Sequence, residues 1–198
     1  VDIIKRLESN RIKIFKNKIN QGLAYAMNKL VANVEKSSKY IAFAEQDDYY
    51  YPYRFGKQIS YLNENEHVGL VSGIADHWDG KKIKRRTPGI LVNGGSYPSG
   101  YEFFKYNYRE QIKVVNSCIM LRKEIHLNNN LKFNEKYHSI SVDWDYILRF
   151  SLVSNIGGLN IPLVKLNREP KRKSLTNNID LKNKTANILI NDFYEEFP

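Results

Sequence analysis

The sequence predicts an α/β fold: a mainly parallel central sheet with helices on both faces. Three observations carry this. The first eighty residues alternate between helical and extended hydrophobic patterns, which is the order of a layered α/β protein. Two segments, Tyr40 to Ala44 and Val68 to Ile74, are apolar on consecutive residues, as strands covered on both faces are. Between Asn20 and Glu35 the apolar residues Leu23, Ala26, Met27, Leu30, Val31 and Val34 recur at i, i+3, i+4 and i+7, the stripe of an amphipathic helix.

Taken in order, residues 1–8 place Ile3, Ile4 and Leu7 on one helical face, the tail of a helix. Arg11 to Phe15 alternates and predicts a short strand. Asn20 suits the N-cap of the first long helix, and Gly22 allows close approach near its start. Tyr40 to Ala44 is the next strand. Pro52 suits a first helical turn, and Phe55, Ile59 and Leu62 continue that helix to about Asn63. Val68 to Ile74 is a strand. Asp76 to Ser99 is looser, with turn signals at Asp79-Gly80, Pro88-Gly89, Gly94-Gly95 and Pro98. Tyr101 to Tyr106 predicts a short helix and Val114 to Arg122 a strand. Residues 126–142 are polar and turn-rich. Asp143 to Ser154 is a helix with Trp144, Ile147, Leu148 and Leu152 on one face. Ile161 to Leu166 is the last strand, and residues 176–194 form a closing amphipathic helix. No repeat or linker divides the 198 residues, which suffice for one domain with a core.

Composition bounds the function. No apolar stretch approaches the roughly 20 residues that span a bilayer, and no signal-peptide pattern opens the chain. A single cysteine, Cys118, excludes an internal disulfide and fits a reducing, cytoplasmic setting. The formal charge is +10. A solvated basic surface, attraction to anionic substrates or an anionic membrane face, and nucleic-acid binding all fit that number. Basic residues interleave with aromatics at Lys105-Tyr106-Asn107-Tyr108-Arg109. No zinc-finger spacing or RNP-like run accompanies them, so nucleic acid is not an expected partner.

The stretch Tyr40 to Arg54, YIAFAEQDDYYYPYR, concentrates the chemistry. A strand delivers Glu45, Asp47 and Asp48 at its carboxyl end. Such oxygen ligands suit a hard divalent cation, Mn²⁺ or Mg²⁺. A polar turn capping the next helix is the structural alternative. Tyr49, Tyr50, Tyr51 and Tyr53 follow; they suit stacking on sugar rings or packing beneath the helix. Asp143 and Asp145 lie in the first turn of their helix, where the macrodipole favours a carboxylate, and an N-cap would explain either. Arg149 is placed to pair with Asp145 at i, i+4. His67, His77, His126 and His138 show no ligand spacing.

Four segments together resemble the family 2 glycosyltransferases of the GT-A fold. Asn20-Gln21-Gly22 with Ala26 and Asn28 looks like N-x-G-x-x-x-A-x-N. Glu45-Gln46-Asp47-Asp48 with Pro52, Arg54 and Gln58 looks like D-x-D-D followed by P-x-(K/R)-(L/F)-x-x-Q. Val68 to Gly73 with Asp79-Gly80 stands where the family has a strand and turn. Val142-Asp143-Trp144-Asp145 with Arg149 looks like E-D-x-(D/E)-x-x-x-R. The order spans most of the chain.

The resemblance implies transfer of a sugar from a nucleotide-diphosphate donor to a hydroxyl, with inversion, probed below. It implies Asp143 as base, Asp47 and Glu45 as metal ligands, and Asn20, Gly22 and Asp48 at the donor. Asp145, Arg168 and Arg172 would contact acceptor or diphosphate. A glycan or lipid-linked acceptor, surface polysaccharide synthesis in bacteria, and peripheral contact at the inner membrane face are the expected setting. Departures stand out: Glu45 replaces the usual Asp, Val142 the usual Glu, and Met27 an arginine. The segment Asn167 to Ser174 lacks the frequent histidine. The family also opens with a strand-helix unit and a strand ending in an acidic motif. None precedes Val1, so the chain is expected to be an N-terminally incomplete GT-A domain lacking its first strand-helix unit. A catalytically inactive homologue that binds nucleotide-sugar or glycan is the alternative function.

Overall fold

The structure, a computed structural model, describes residues 11–110, 114–137, 141–170 and 179–196. Its elements run α1 (Gly22–Ala32), β1 (Tyr40–Ala42), β2 (Tyr49–Tyr50), α2 (Arg54–Glu64), β3 (Val68–Trp78), β4 (Ile83–Thr87), α3 (Gly89–Val92) and α4 (Gly100–Glu110). Then follow β5 (Met120–Arg122), α5 (Lys123–Asn128), α6 (Val142–Ser151), β6 (Asn155–Asn167) and α7 (Ile179–Glu196). Short 3₁₀ turns occupy Asn116–Cys118 and Glu135–Tyr137.

The strand order is β1-β5-β3-β6-β2, with β4 hairpinned onto β3. The longest ladder, β3 with β6, is parallel. β1 and β3 both run antiparallel to the short β5 between them, so β1, β3 and β6 share one direction. β2 and β4 run the opposite way at the rims. The parallel core thus carries antiparallel neighbours, as mixed sheets do.

Helices cover both faces, and β6 shows why they pack so closely. A Cβ on Gly157 would meet Tyr61 of α2 at 2.5 Å, while one on Gly158 would meet Leu91 of α3 at 2.5 Å. Leu62 of α2 joins Val71 and Met120 on one side. On the other, Leu70, Ile74, Ile41 and Leu121 join Phe103 of α4, Ile147 and Phe150 of α6, and Leu189 and Phe193 of α7 in the main core.

Several expectations need correction. Arg11 to Phe15 forms no strand: Ile12 makes an isolated bridge and both Ile12 and Phe15 stay exposed. Alternation alone does not make a strand where no neighbouring strand supplies a ladder. In α1 the buried side is Ala24 and Val31, with Met27 and Val34 packed against the core, while Leu23 and Leu30 are 41% and 49% exposed. The looser region after Asp76, which the sequence leaves open between a loop and a small excursion of strands, is the latter: an extension of β3 and its hairpin with β4. The strand expected from Val114 is a 3₁₀ turn followed by three strand residues. β6 begins six residues before Ile161. Pro162, inside the expected strand, sits opposite Ile74 between two register shifts, where a ladder tolerates proline. The helix expected over residues 1–8 lies outside the described residues.

Candidate functional site

The site is built where β1 ends. Phe43 donates its N–H to Ile119 O at 3.0 Å, and beyond it the chain turns back to reach β2. The Tyr50 hydroxyl clasps this turn, accepting from the Glu45 N–H at 2.5 Å and donating to the Glu45 carbonyl at 2.9 Å. The loop is thereby closed on itself. Glu45, Asp47 and Asp48 each offer a carboxylate oxygen, and these lie within 4.8 Å of one another.

A second wall comes from the 3₁₀ turn. Asn116 Nδ2 donates to Glu45 Oε1 at 3.2 Å, and Ser117 Oγ donates to Asp48 Oδ2 at 2.7 Å. The other Asp48 oxygen accepts from the Asn167 N–H, at the end of β6, at 3.1 Å. Asp48 therefore joins three segments. Asn116 Oδ1 is buried without a hydrogen-bond partner, an orphaned acceptor beside the carboxylates.

Beneath the loop lies Arg54, 1% exposed. Its Nη2 donates to Phe43 O at 2.7 Å and Ile119 O at 3.1 Å, and its Nε to Gln58 Oε1 at 3.0 Å. Gln58 Nε2 in turn donates to Cys118 O at 2.6 Å. One arginine and one glutamine, four residues apart on α2, thus pin both strand ends that carry the acidic loop and its wall.

The electrostatics are strained in one direction. Desolvation pushes the Glu45 carboxyl up; the Asn116 bond opposes this, and the Asp48 and Asp143 charges raise it further. Like charges gathered at such range favour a cation. An all-oxygen donor set of carboxylates beside an unused amide oxygen is the chemistry that Mg²⁺ and Mn²⁺ take. The residues present fit such a metal.

Asp143 stands in the first turn of α6, two residues past Ser141, which takes a left-handed conformation at φ 64°. Its Oδ1 accepts the Trp144 N–H at 3.0 Å, and burial pushes its carboxyl up. Its charge adds to the upward push on the Glu45 carboxyl. Asp145 points elsewhere. It is 0% exposed, and its Oδ1 accepts from Arg149 Nε at 3.1 Å, the i, i+4 pair expected. Arg149 also forks onto Glu196 of α7 at 2.8 and 2.9 Å. Asp145 so held has no surface left for an acceptor.

Of the other expected residues, Asn20 uses Oδ1 on the Gly22 N–H at 3.0 Å, capping α1 from one place further out than expected. Gly22 has φ 85°, a conformation that penalises a Cβ. Asn28 clamps the 133–135 loop, donating to Phe133 O at 2.9 Å and accepting the Phe133 N–H at 2.8 Å. Met27 packs on the core. Arg168 is exposed beside Asn167, with its N–H on Trp78 O at 2.7 Å, so it rises next to the acidic loop. Arg172 and His138 lie outside the described residues. His126 and His77 bond to Tyr146 and Thr87. A hollow of about 410 Å³ near His67 and Asn155 lies at the opposite end of β6 and takes no part.

Asn116, Ser117 and Asn167 escaped sequence reasoning. Their side chains and backbone meet the acids only through long-range pairing, which no local pattern encodes.

A family model described as Glycosyl transferase family 2 matches residues 1–128. The Dictyostelium discoideum protein "Bifunctional glycosyltransferase pgtA" is 38% identical over 109 residues, covering 54% of this chain and 13% of that protein. Among solved structures, S. aureus TarS 1-349 superposes with a TM-score of 0.65 at 16% identity, covering 84% of this chain and 47% of that one. The same TarS segment in complex with UDP-GlcNAc gives 0.63 at 13% identity over 87% of this chain and 46% of that one. The chain thus spans less than half the length of these relatives.

Proposed function

The chain belongs to glycosyl transferase family 2, and on that premise we propose that it moves a sugar from a nucleotide-diphosphate donor to a hydroxyl acceptor with inversion at the anomeric carbon. The family match and the likeness to solved glycosyltransferases support this reading. One observation carries it: three carboxylates gathered within 4.8 Å at the carboxyl end of β1. Ligands of open α/β sheets bind at that edge.

Asp143 takes the proton of the acceptor hydroxyl. The oxygen then bonds the anomeric carbon from the face opposite the leaving group, and the diphosphate departs with the electron pair. A carboxyl raised by burial is a stronger base than an exposed one, which favours its taking the proton. Glu45 and Asp47, with Asp48 steadying the loop, would hold Mn²⁺ or Mg²⁺. When bound, the ion supplies Lewis-acid stabilisation of the leaving diphosphate. Arg168 and Arg172 add charge-assisted bonds to that diphosphate, and Asn20 and Gly22 border the nucleoside side with Asp48. The acceptor is a glycan or lipid-linked glycan of a surface polysaccharide. The inactive-homologue reading rests on Glu45 and Val142, which depart from the family pattern.

UDP-GlcNAc, the ligand of the TarS complex, is the first donor to try. Calorimetric titration should show binding that requires Mn²⁺ and slow UDP release. Asp47→Ala should abolish the Mn²⁺-dependent part. Asp143→Asn should keep donor binding and slow turnover by about 10²–10⁴-fold, the range for a lost general base. Unchanged turnover in Asp143→Asn removes it as the base. Failure to bind any nucleotide-sugar in a panel with Mn²⁺ hands the chain to the inactive-homologue reading.

A further inference from the structure

The β3–β4 hairpin is a basic projection that the transfer chemistry leaves unused. Its outgoing strand and turn carry Lys81-Lys82-Ile83-Lys84-Arg85-Arg86, every residue exposed. The turn is firmly built. Asp79 Oδ1 accepts the N–H groups of Lys81 and Lys82 at 2.9 and 2.8 Å, Asp79 Oδ2 pairs with Lys84 Nζ at 3.0 Å, and Gly80 supplies φ 97°. Lys165 of the neighbouring β6 and Arg168, just past its end, add to the same end.

Apolar surface sits among these charges. Ile83, 39% exposed, pairs in register with Trp78. Tyr49, 53% exposed, meets the Trp78 ring edge-on at 5.4 Å, and Lys165 Nζ lies 5.5 Å from the centre of that ring.

We propose that this hairpin docks the protein on an anionic lipid surface. Charge complementarity selects the occupant. The cations are spread along an exposed strand as separate points, which suits a delocalised field rather than one bound phosphate. A basic stripe mixed with Trp, Tyr and Ile is the composition of an interfacial contact, where aromatics settle at headgroup depth. A soluble polyanion has no use for Ile83. The hairpin grows from the carboxyl end of β3, where Asn167 pairs with Trp78 and bonds Asp48. Docking there turns the acidic loop toward the same surface, within reach of a lipid-linked hydroxyl. Docking is read without donor or acceptor, so it stands or falls apart from the transfer reaction.

The experiment is co-sedimentation of the chain with vesicles of phosphatidylcholine, alone or with phosphatidylglycerol. Binding is expected only with phosphatidylglycerol and should weaken as salt rises. A Lys81→Ser, Lys82→Ser, Arg85→Ser triple variant spares both ion-paired side chains, Lys84 and Arg86. At about fivefold per removed charge, it should bind roughly 100-fold more weakly, with an unchanged melting temperature. Ile83→Ser should weaken binding while leaving its salt dependence intact. Equal binding by the triple variant, or no binding of the wild type to anionic vesicles, overturns the proposal. Retention on a single-stranded oligonucleotide without vesicle binding also overturns it and gives the face to nucleic acid.

Discussion

Among the described residues Arg54 is the largest charged side chain that is fully buried, and it faces carbonyls instead of a carboxylate. Burial pulls its guanidinium below the usual arginine range, and that cost is offset by three good hydrogen bonds. Arg54→Met would fill much of the space but strand Phe43 O and Gln58 Oε1 in the interior, while Ile119 O keeps the Phe43 N–H. Buried acceptors left unmade cost about 1–3 kcal/mol each, so a loss of about 3 kcal/mol is expected. For a chain of this size that lowers the melting temperature by roughly 6–12 °C. Arg54→Lys should recover only part of it, because a point charge cannot bridge two carbonyls and Gln58 at once. A calorimetric scan that finds the methionine variant as stable as the wild type would show that the bridge is not needed. The letters of this motif were legible in the sequence, and its role was not. Arg54 and Gln58 are visibly i, i+4 on one helix, but the carbonyls they face come from residues 43, 118, 119 and 71. Glu45, Asp47 and Asp48 were legible as a cluster because four consecutive positions cannot separate far. Asp145 misled because a carboxylate two residues from Asp143 lies about 200° around the helix, on the α7 side.

At the scale of elements, period and apolar content located α1, α2, α6, α7, β1 and β3, whose faces are set locally. They missed the two-residue β2 and the mostly charged β4, and found β6 only from Ile161 onward. β6 is the instructive case. Its glycines look like breaks but are contact points: without side chains at 157 and 158, α2 and α3 can lie directly on the strand. A methyl at 157 must displace the ring of Tyr61, whose Cε1 and hydroxyl stand 2.5 and 2.7 Å away. Overpacking of this kind costs about 1–3 kcal/mol. Gly157→Ala should therefore lower the urea midpoint at an unchanged slope, and pairing it with Tyr61→Leu should restore part of the loss. If the single variant unfolds at the wild-type midpoint, α2 is not seated on β6 as described.

At the scale of the molecule, α7 closes the main core, with Leu189 and Phe193 buried in it. Its polar side is fixed by the Arg149–Glu196 fork and by Asp192, which accepts from Tyr137 and Lys136. Asp145 sits under this seam at some expense. Burial raises its carboxyl to about 6 despite the Arg149 guanidinium, and Oδ2 has no partner. The folded state therefore holds this proton more tightly than the unfolded chain does, where the ordinary value is 3.8. The stability linked to that proton is complete below the unfolded value and is lost as pH rises through about 6. The difference amounts to about 3 kcal/mol at 1.36 kcal/mol per unit. Asp145→Asn keeps the shape, can still accept from Arg149, and cannot ionise. Its stability relative to wild type, measured by urea unfolding, should improve by about 2 kcal/mol between about pH 4 and pH 7.5. A gap that stays constant with pH would mean that the Arg149 charge fully compensates the buried carboxylate. A buried ion pair often stabilises less than its neutral replacement, and here the orphaned Oδ2 gives the physical reason to expect that order.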